Sequence, residues 1–146
     1  MRGARVLATM LGFLLGLLPA GSPAEDARTI QGAWTVVSAE RDGKPTTEVA
    51  GHRLACSGDT FTIQREGHTL YRGIYSADAG RKPATIDFFH TEGNLKGRAW
   101  KGIYRFEGEA LRVCDNAPDM AKPRPTRFST GPGSGYICIV FKRASG

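Results

Sequence analysis

The stretch Gly32-Ala33-Trp34-Thr35-Val36-Val37-Ser38-Ala39 decides how this chain is read. A glycine stands two residues before a tryptophan, and the following residues alternate with the period of two that marks a half-buried strand. That strand, expected over residues 34–39, runs into Arg41-Asp42-Gly43-Lys44. Asp-Gly is a strong hairpin signal because both residues tolerate the positive φ that a tight turn demands.

Outward from this point the same grammar repeats. Strands are expected over 53–56, 60–64, 69–76, 84–90, 99–106, 110–115 and 136–143, with a short one at 126–129. Ser57-Gly58-Asp59, Glu66-Gly67 and Glu107-Gly108-Glu109 punctuate them, and residues 116–125 form a proline-rich extended connection. Residues 46–50 have room for one helical turn, and no long 3.6-residue apolar period occurs. Eight or nine short strands with tight sequential links predict an all-β fold, a small up-and-down antiparallel β-barrel whose closure removes exposed edges.

An internal echo supports the meander. Tyr71-Arg72-Gly73-Ile74-Tyr75 returns 29 residues later as Trp100-Lys101-Gly102-Ile103-Tyr104. Nothing else recurs at that period, so this is a repeated strand type. A glycine inside each copy predicts a bend or a close backbone approach.

Alternation assigns faces. Trp34 with Val36, Phe61 with Ile63, and Ile86 with Phe88 and His90 are expected to point inward. So are Trp100 with Tyr104 and Phe106, Leu111 with Val113, and Ile137 with Ile139 and Phe141. This parity places Cys114 and Cys138 together on the outer face of neighbouring strands, as a disulfide. Cys56 is left inward beside Leu54 as a buried thiol.

The first residues read as an export signal. Arg2 and Arg5 precede an apolar run over residues 6–18, and Ser22 and Ala24 offer a small-residue cleavage site before Glu25. The run is short of the ~20 residues a bilayer span needs, so no stable membrane insertion is expected. Residues 1–24 are thus expected to be a signal peptide and 25–146 a single domain, exported to the periplasm or the extracellular space. With Arg2 and Arg5 removed, the 20 basic residues become 18 against 14 acidic ones, a net charge of +4. These charges are scattered without a run, which argues against a nucleic-acid face.

Taken together, several segments resemble a bacterial family of small, secreted, functionally uncharacterised lipocalin-like domains. They are Ile30-Gln31-Gly32-Ala33-Trp34 with the following Val37-Ser38-Ala39-Glu40-Arg41-Asp42-Gly43-Lys44-Pro45, Lys82-Pro83-Ala84-Thr85-Ile86-Asp87, Gly102-Ile103-Tyr104 running to Leu111, Arg124-Pro125-Thr126-Arg127-Phe128, and Phe141-Lys142-Arg143. They cover nearly all of the expected mature chain. The resemblance implies a lipocalin-like barrel and brings no activity. It also implies a barrel end closed by Trp34 under an arginine, with Arg143 the first candidate and Arg124 the second. The chain departs from classical lipocalins in its shortness and in lacking a long C-terminal helix.

Catalytic chemistry is not apparent. His52, His68 and His90 form no His-x-His or His-x-x-x-His pair, and His90 near Glu92 is at most half a metal site, so no metal and no cofactor are expected. Cys56 shares parity with His52, but a structural cysteine is the favoured reading. Ser134 sits in a glycine-rich turn, not in a nucleophile elbow. The expectation is therefore a binding module for a small, partly apolar ligand at one barrel mouth, with Tyr75, Tyr104, Arg98 and Asp87 as candidate contacts. Asp87 has a structural alternative, a salt bridge or a bond into a turn. The alternative function is a filled-barrel interaction domain acting through its loops in the periplasm or cell envelope, with a partner the residues do not name.

Overall fold

In the computed structural model, which describes residues 29–145, the strands are β1 (Gly32–Arg41), β2 (Lys44–Pro45), β3 (His52–Ser57), β4 (Thr60–Arg65), β5 (His68–Asp78), β6 (Thr85–His90), β7 (Ala99–Glu107), β8 (Ala110–Asp115) and β9 (Ile137–Arg143). The expected signal peptide, residues 1–24, lies outside the described residues. Apart from the two-residue β2, which folds back on β1, each strand pairs antiparallel with the next, and β1 also pairs with β9. The sheet is therefore a closed, eight-stranded, up-and-down barrel of lipocalin-like architecture. Asp42 and Gly43 adopt φ of 55° and 79°, the conformation expected of the turn that ends β1.

The assigned faces hold. Trp34, Phe61, Ile86, Phe88, Tyr104 and Leu111 are buried in one interior cluster. Cys114 and Cys138, directly opposite each other on β8 and β9, form a buried disulfide in a second cluster with Ile103, covered by Phe128. Cys56 is a buried free thiol.

The two echoed glycines share a physical cause. A Cβ on Gly73 would lie 1.9 Å from the Phe89 carbonyl oxygen, and one on Gly102 would lie 2.7 Å from that of Cys114. Both strands pass a neighbour too closely for a side chain, as a tightly curled barrel requires.

One expected strand is absent. Residues 126–129 take no part in the sheet. Pro123, Pro125 and Pro132 lack the N–H that a ladder needs, so this stretch follows the barrel exterior instead. It is fixed by side chains. Arg124 donates to Asp87 (2.6 Å) and to the Gly102 carbonyl (2.8 Å), and Thr130 donates from its backbone N–H and its hydroxyl to Glu40 (2.9 and 2.7 Å).

Candidate functional site

The barrel has two unlike ends. At the end where β1 begins and β9 finishes, Trp34 is buried and donates its Nε1–H to the Ile30 carbonyl (2.8 Å). The Arg143 guanidinium lies 4.1 Å from the Trp34 ring centroid and donates to the carbonyls of Gln31 and Thr29. A Cβ on Gly32 would stand 3.0 Å from an Arg143 nitrogen, and Gly32 has φ +107°. The glycine two residues before the tryptophan therefore leaves room for the arginine that covers it. Gln31 fastens the same end: its amide exchanges hydrogen bonds with the backbone of Gly58 (2.7 and 2.8 Å) and donates to the Tyr75 hydroxyl.

The opposite end holds a cavity of about 190 Å³. Val36, Leu54, Ile63, Val113, Ile139 and Phe141 supply aliphatic and aromatic wall from five strands, and Tyr71, Phe88 and Trp100 form an aromatic side. The rings of Tyr71 and Trp100 meet edge to face at 4.9 Å. Toward the mouth the lining turns polar, with Arg41, Glu48, His52 and Asp115. Val49, Ala117 and Pro118, from two connecting loops, complete it.

These polar groups are unequally satisfied. Arg41 grips Glu48 with two hydrogen bonds (2.7 and 2.6 Å) and donates a third to the Gly135 carbonyl (2.7 Å). The pairing holds the Glu48 carboxyl below, and the Arg41 guanidinium above, their ordinary ranges. Asp115 is 5% exposed and receives one hydrogen bond, from the Ala117 N–H (2.9 Å). Among the described residues no cation forms an ion pair with it. Burial pushes its carboxyl up to about 6, against smaller opposing pulls from that N–H and from Arg41. The Trp100 Nε1–H, also on the wall, is buried with no hydrogen-bond partner among the described residues.

Behind the aromatic side lies His90. It is wholly buried, its ring 4.2 Å from that of Trp100 and 5.5 Å from that of Tyr71. Neither ring nitrogen has a partner among the described residues, and burial lowers its pKa, so the imidazole is neutral. Burial also lowers the pKa of His52, with Arg65 adding to the effect.

The residues expected from the sequence to touch a ligand do not meet at this cavity. Tyr75 is engaged by Gln31 at the closed end, and Tyr104 is buried in the core, its ring against Phe106. Arg98 is exposed in the loop before β7. Asp87 takes its structural alternative, the ion pair with Arg124. That pair occupies Arg124 on the barrel exterior, so Arg143 alone covers Trp34. Parity located inward positions but not their height in the barrel, and Asp87 points outward beside inward Ile86 and Phe88.

Asp115 is a cavity residue that the sequence pattern itself signals. It continues the inward alternation of Leu111 and Val113, so a carboxylate was due inside the barrel. Cys56 stands buried at the closed end of β3, and burial pushes its thiol up to about 12, away from the low values of reactive thiolates. Among the described residues no group of three or more His, Cys, Asp or Glu is placed to hold a metal ion. No helix among them is long and apolar enough to cross a membrane.

Comparison with models of protein families, with characterised proteins and with solved structures finds no match.

Proposed function

We propose that this chain is an exported binding module that takes a small, partly apolar ligand into the open end of its barrel. The observation that carries the reading is the one-sided interior. One end is plugged by Trp34 and Arg143, while the other keeps an apolar cavity with a buried carboxyl at its mouth. A mostly apolar wall with a few placed polar groups is the usual make-up of a small-molecule site. At about 190 Å³ the cavity is smaller than typical drug-sized sites, which favours a ligand of single-ring size. Export to the periplasm or beyond fits the Cys114–Cys138 disulfide and the signal-like first residues.

Thermal unfolding with toluene and phenylethanol tests this. Either compound is expected to raise the midpoint, and Ile139→Trp, which fills the cavity, is expected to abolish the rise. An equal rise in the filled variant would refute the cavity as a ligand site, and so would an unchanged midpoint with both compounds and with ring compounds that carry a charged head group. The alternative, an interaction domain, draws support from a separate feature. Ile74 and Phe89, paired across β5 and β6, are 44% and 46% exposed on the outer face. Their mutation to serine would then weaken a protein contact and leave the ligand-induced rise intact.

A further inference from the structure

We propose that the ligand is a small organic amine whose ammonium group seats against the Asp115 carboxylate. This rests on the reading of the cavity as a ligand site and adds the chemical class.

Charge at the mouth decides the sign. The two side-chain charges of Arg41 and Glu48 cancel in a bidentate pair, and Arg41 is further held by the Gly135 carbonyl. Among the described residues Asp115 forms no ion pair, and Arg41, committed to Glu48, acts on it only at longer range. An ionised carboxylate offers about four acceptor positions, and one is occupied, by the Ala117 N–H. Burying such a group without a partner is costly, and the cost is recovered when an opposite charge arrives with hydrogen bonds to donate. An ammonium does both. A ligand carboxylate would have to draw Arg41 from Glu48 while standing beside Asp115, so anions are disfavoured twice.

The rest of the wall suits the remainder of such a molecule. Tyr71, Phe88 and Trp100 supply aromatic surface for a ring, and aromatic faces also attract a nearby cation. An apolar cavity of about 150 Å³ accommodates benzene, so about 190 Å³ leaves room for one ring and a short amine arm. Trp100 carries a second unpartnered polar atom, a donor that bears on the rest of the molecule and not on its ammonium group. Gly102 on β7 lies opposite Asp115 on β8, which makes Trp100 a diagonal neighbour about 7–8 Å along the wall. Its buried Nε1–H would bond an oxygen carried on the far side of the ring.

The test is calorimetric titration of the oxidised protein with phenethylamine, phenylethanol and phenylacetate, which share a ring and differ in the charge of the head group. At about pH 7.5 the amine is expected to bind at least tenfold more tightly than the alcohol, with phenylacetate weakest, as a charge-assisted bond to a buried carboxylate implies. Asp115→Asn keeps an acceptor for the Ala117 N–H, and it is expected to bring the amine down to the level of the alcohol without changing the alcohol. Wild-type protein titrated at about pH 4.5, where the carboxyl is protonated, is expected to show the same loss of preference. Equal binding of all three compounds, a preference for phenylacetate, or an amine preference that survives Asp115→Asn would each overturn the assignment while leaving the ligand site standing. Binding of none of the three would overturn the assignment and the ligand site together.

Discussion

Arg143 covers Trp34, its guanidinium 4.1 Å from the indole centroid, and Gly32 provides the space in which it does so. Because the arginine also donates to the carbonyls of Gln31 and Thr29, it ties the chain before β1 to the last residue of β9. Arg143→Ala is expected to lower stability by about 1–3 kcal/mol, from the lost cation–π contact and the charged hydrogen bonds. Arg143→Lys should recover only part of this, since an ammonium lacks the planar fork that serves ring and carbonyls together. Denaturant midpoints of the three proteins measure the order, and a lysine variant as stable as wild type would contradict it.

Much of this fold is legible in the sequence, for a physical reason. Strand side chains alternate with a period of two, so one inward residue sets the faces of its own strand, and the outward pair Cys114 and Cys138 follows from inward Val113 and Ile139 beside them. Height along the barrel has no such periodicity. Face alone gives Tyr75 no height, and Asp87 is a ligand candidate only as a carboxylate within a strand whose face is outward; their partners, Gln31 and Arg124, come from 44 and 37 residues away. The course of residues 116–136 was equally hidden, because its contacts are made by side chains and not by a ladder. Asp115 was readable and lay one step beyond Val113 on the same face.

The close passes at Gly73 and Gly102 predict graded damage. Gly73→Ala drives a methyl into the Phe89 carbonyl at 1.9 Å, a backbone atom that cannot turn aside, whereas at Gly102 the nearest atom is 2.7 Å away. Overpacking typically costs about 1–3 kcal/mol, and Gly73→Ala is expected at or above the top of that range, with Gly102→Ala below it. Thermal melts of the two variants, one against the other, read the difference directly. The reverse order would place the tighter curl of the barrel on β7.

Thiol chemistry should divide cleanly. The disulfide spans a sequence separation of 24, and its removal in a Cys114→Ala/Cys138→Ala double variant is expected to cost about 3 kcal/mol. Cys56, its thiol pushed up to about 12 by burial, should resist a thiol reagent in the folded protein and react once the chain is unfolded. Titration of thiols before and after denaturant checks the second statement, since the wild-type chain should release a single reactive group, and denaturant unfolding of wild type against the double variant checks the first. Rapid labelling of folded protein would mean that Cys56 is not enclosed beside Leu54 and Phe61.

Asp115 makes stability depend on pH in a direction opposite to that of Glu40, Glu48 and Glu107. Its ordinary value of 3.8 is raised to about 6 in the folded chain, so the folded state holds a proton that the unfolded chain releases. The contribution of this group is therefore fully present below the unfolded value and is lost as pH rises through about 6. Glu40, Glu48 and Glu107, whose carboxyls are held low by Thr130, Arg41 and Arg112 respectively, act the other way and lose stability as pH falls. Of the groups at the same cavity mouth, the Arg41 guanidinium is held up by its bonds to Glu48, and burial lowers the pKa of His52. Comparison of wild type with Asp115→Asn cancels these shared terms. The variant is expected to be more stable by roughly 2–3 kcal/mol at about pH 7.5, with the gain shrinking toward zero by about pH 4. Unfolding curves across that interval decide it: a gain independent of pH would mean that Asp115 does not titrate in the cavity, and a loss at neutral pH would mean that its charge is already partnered there.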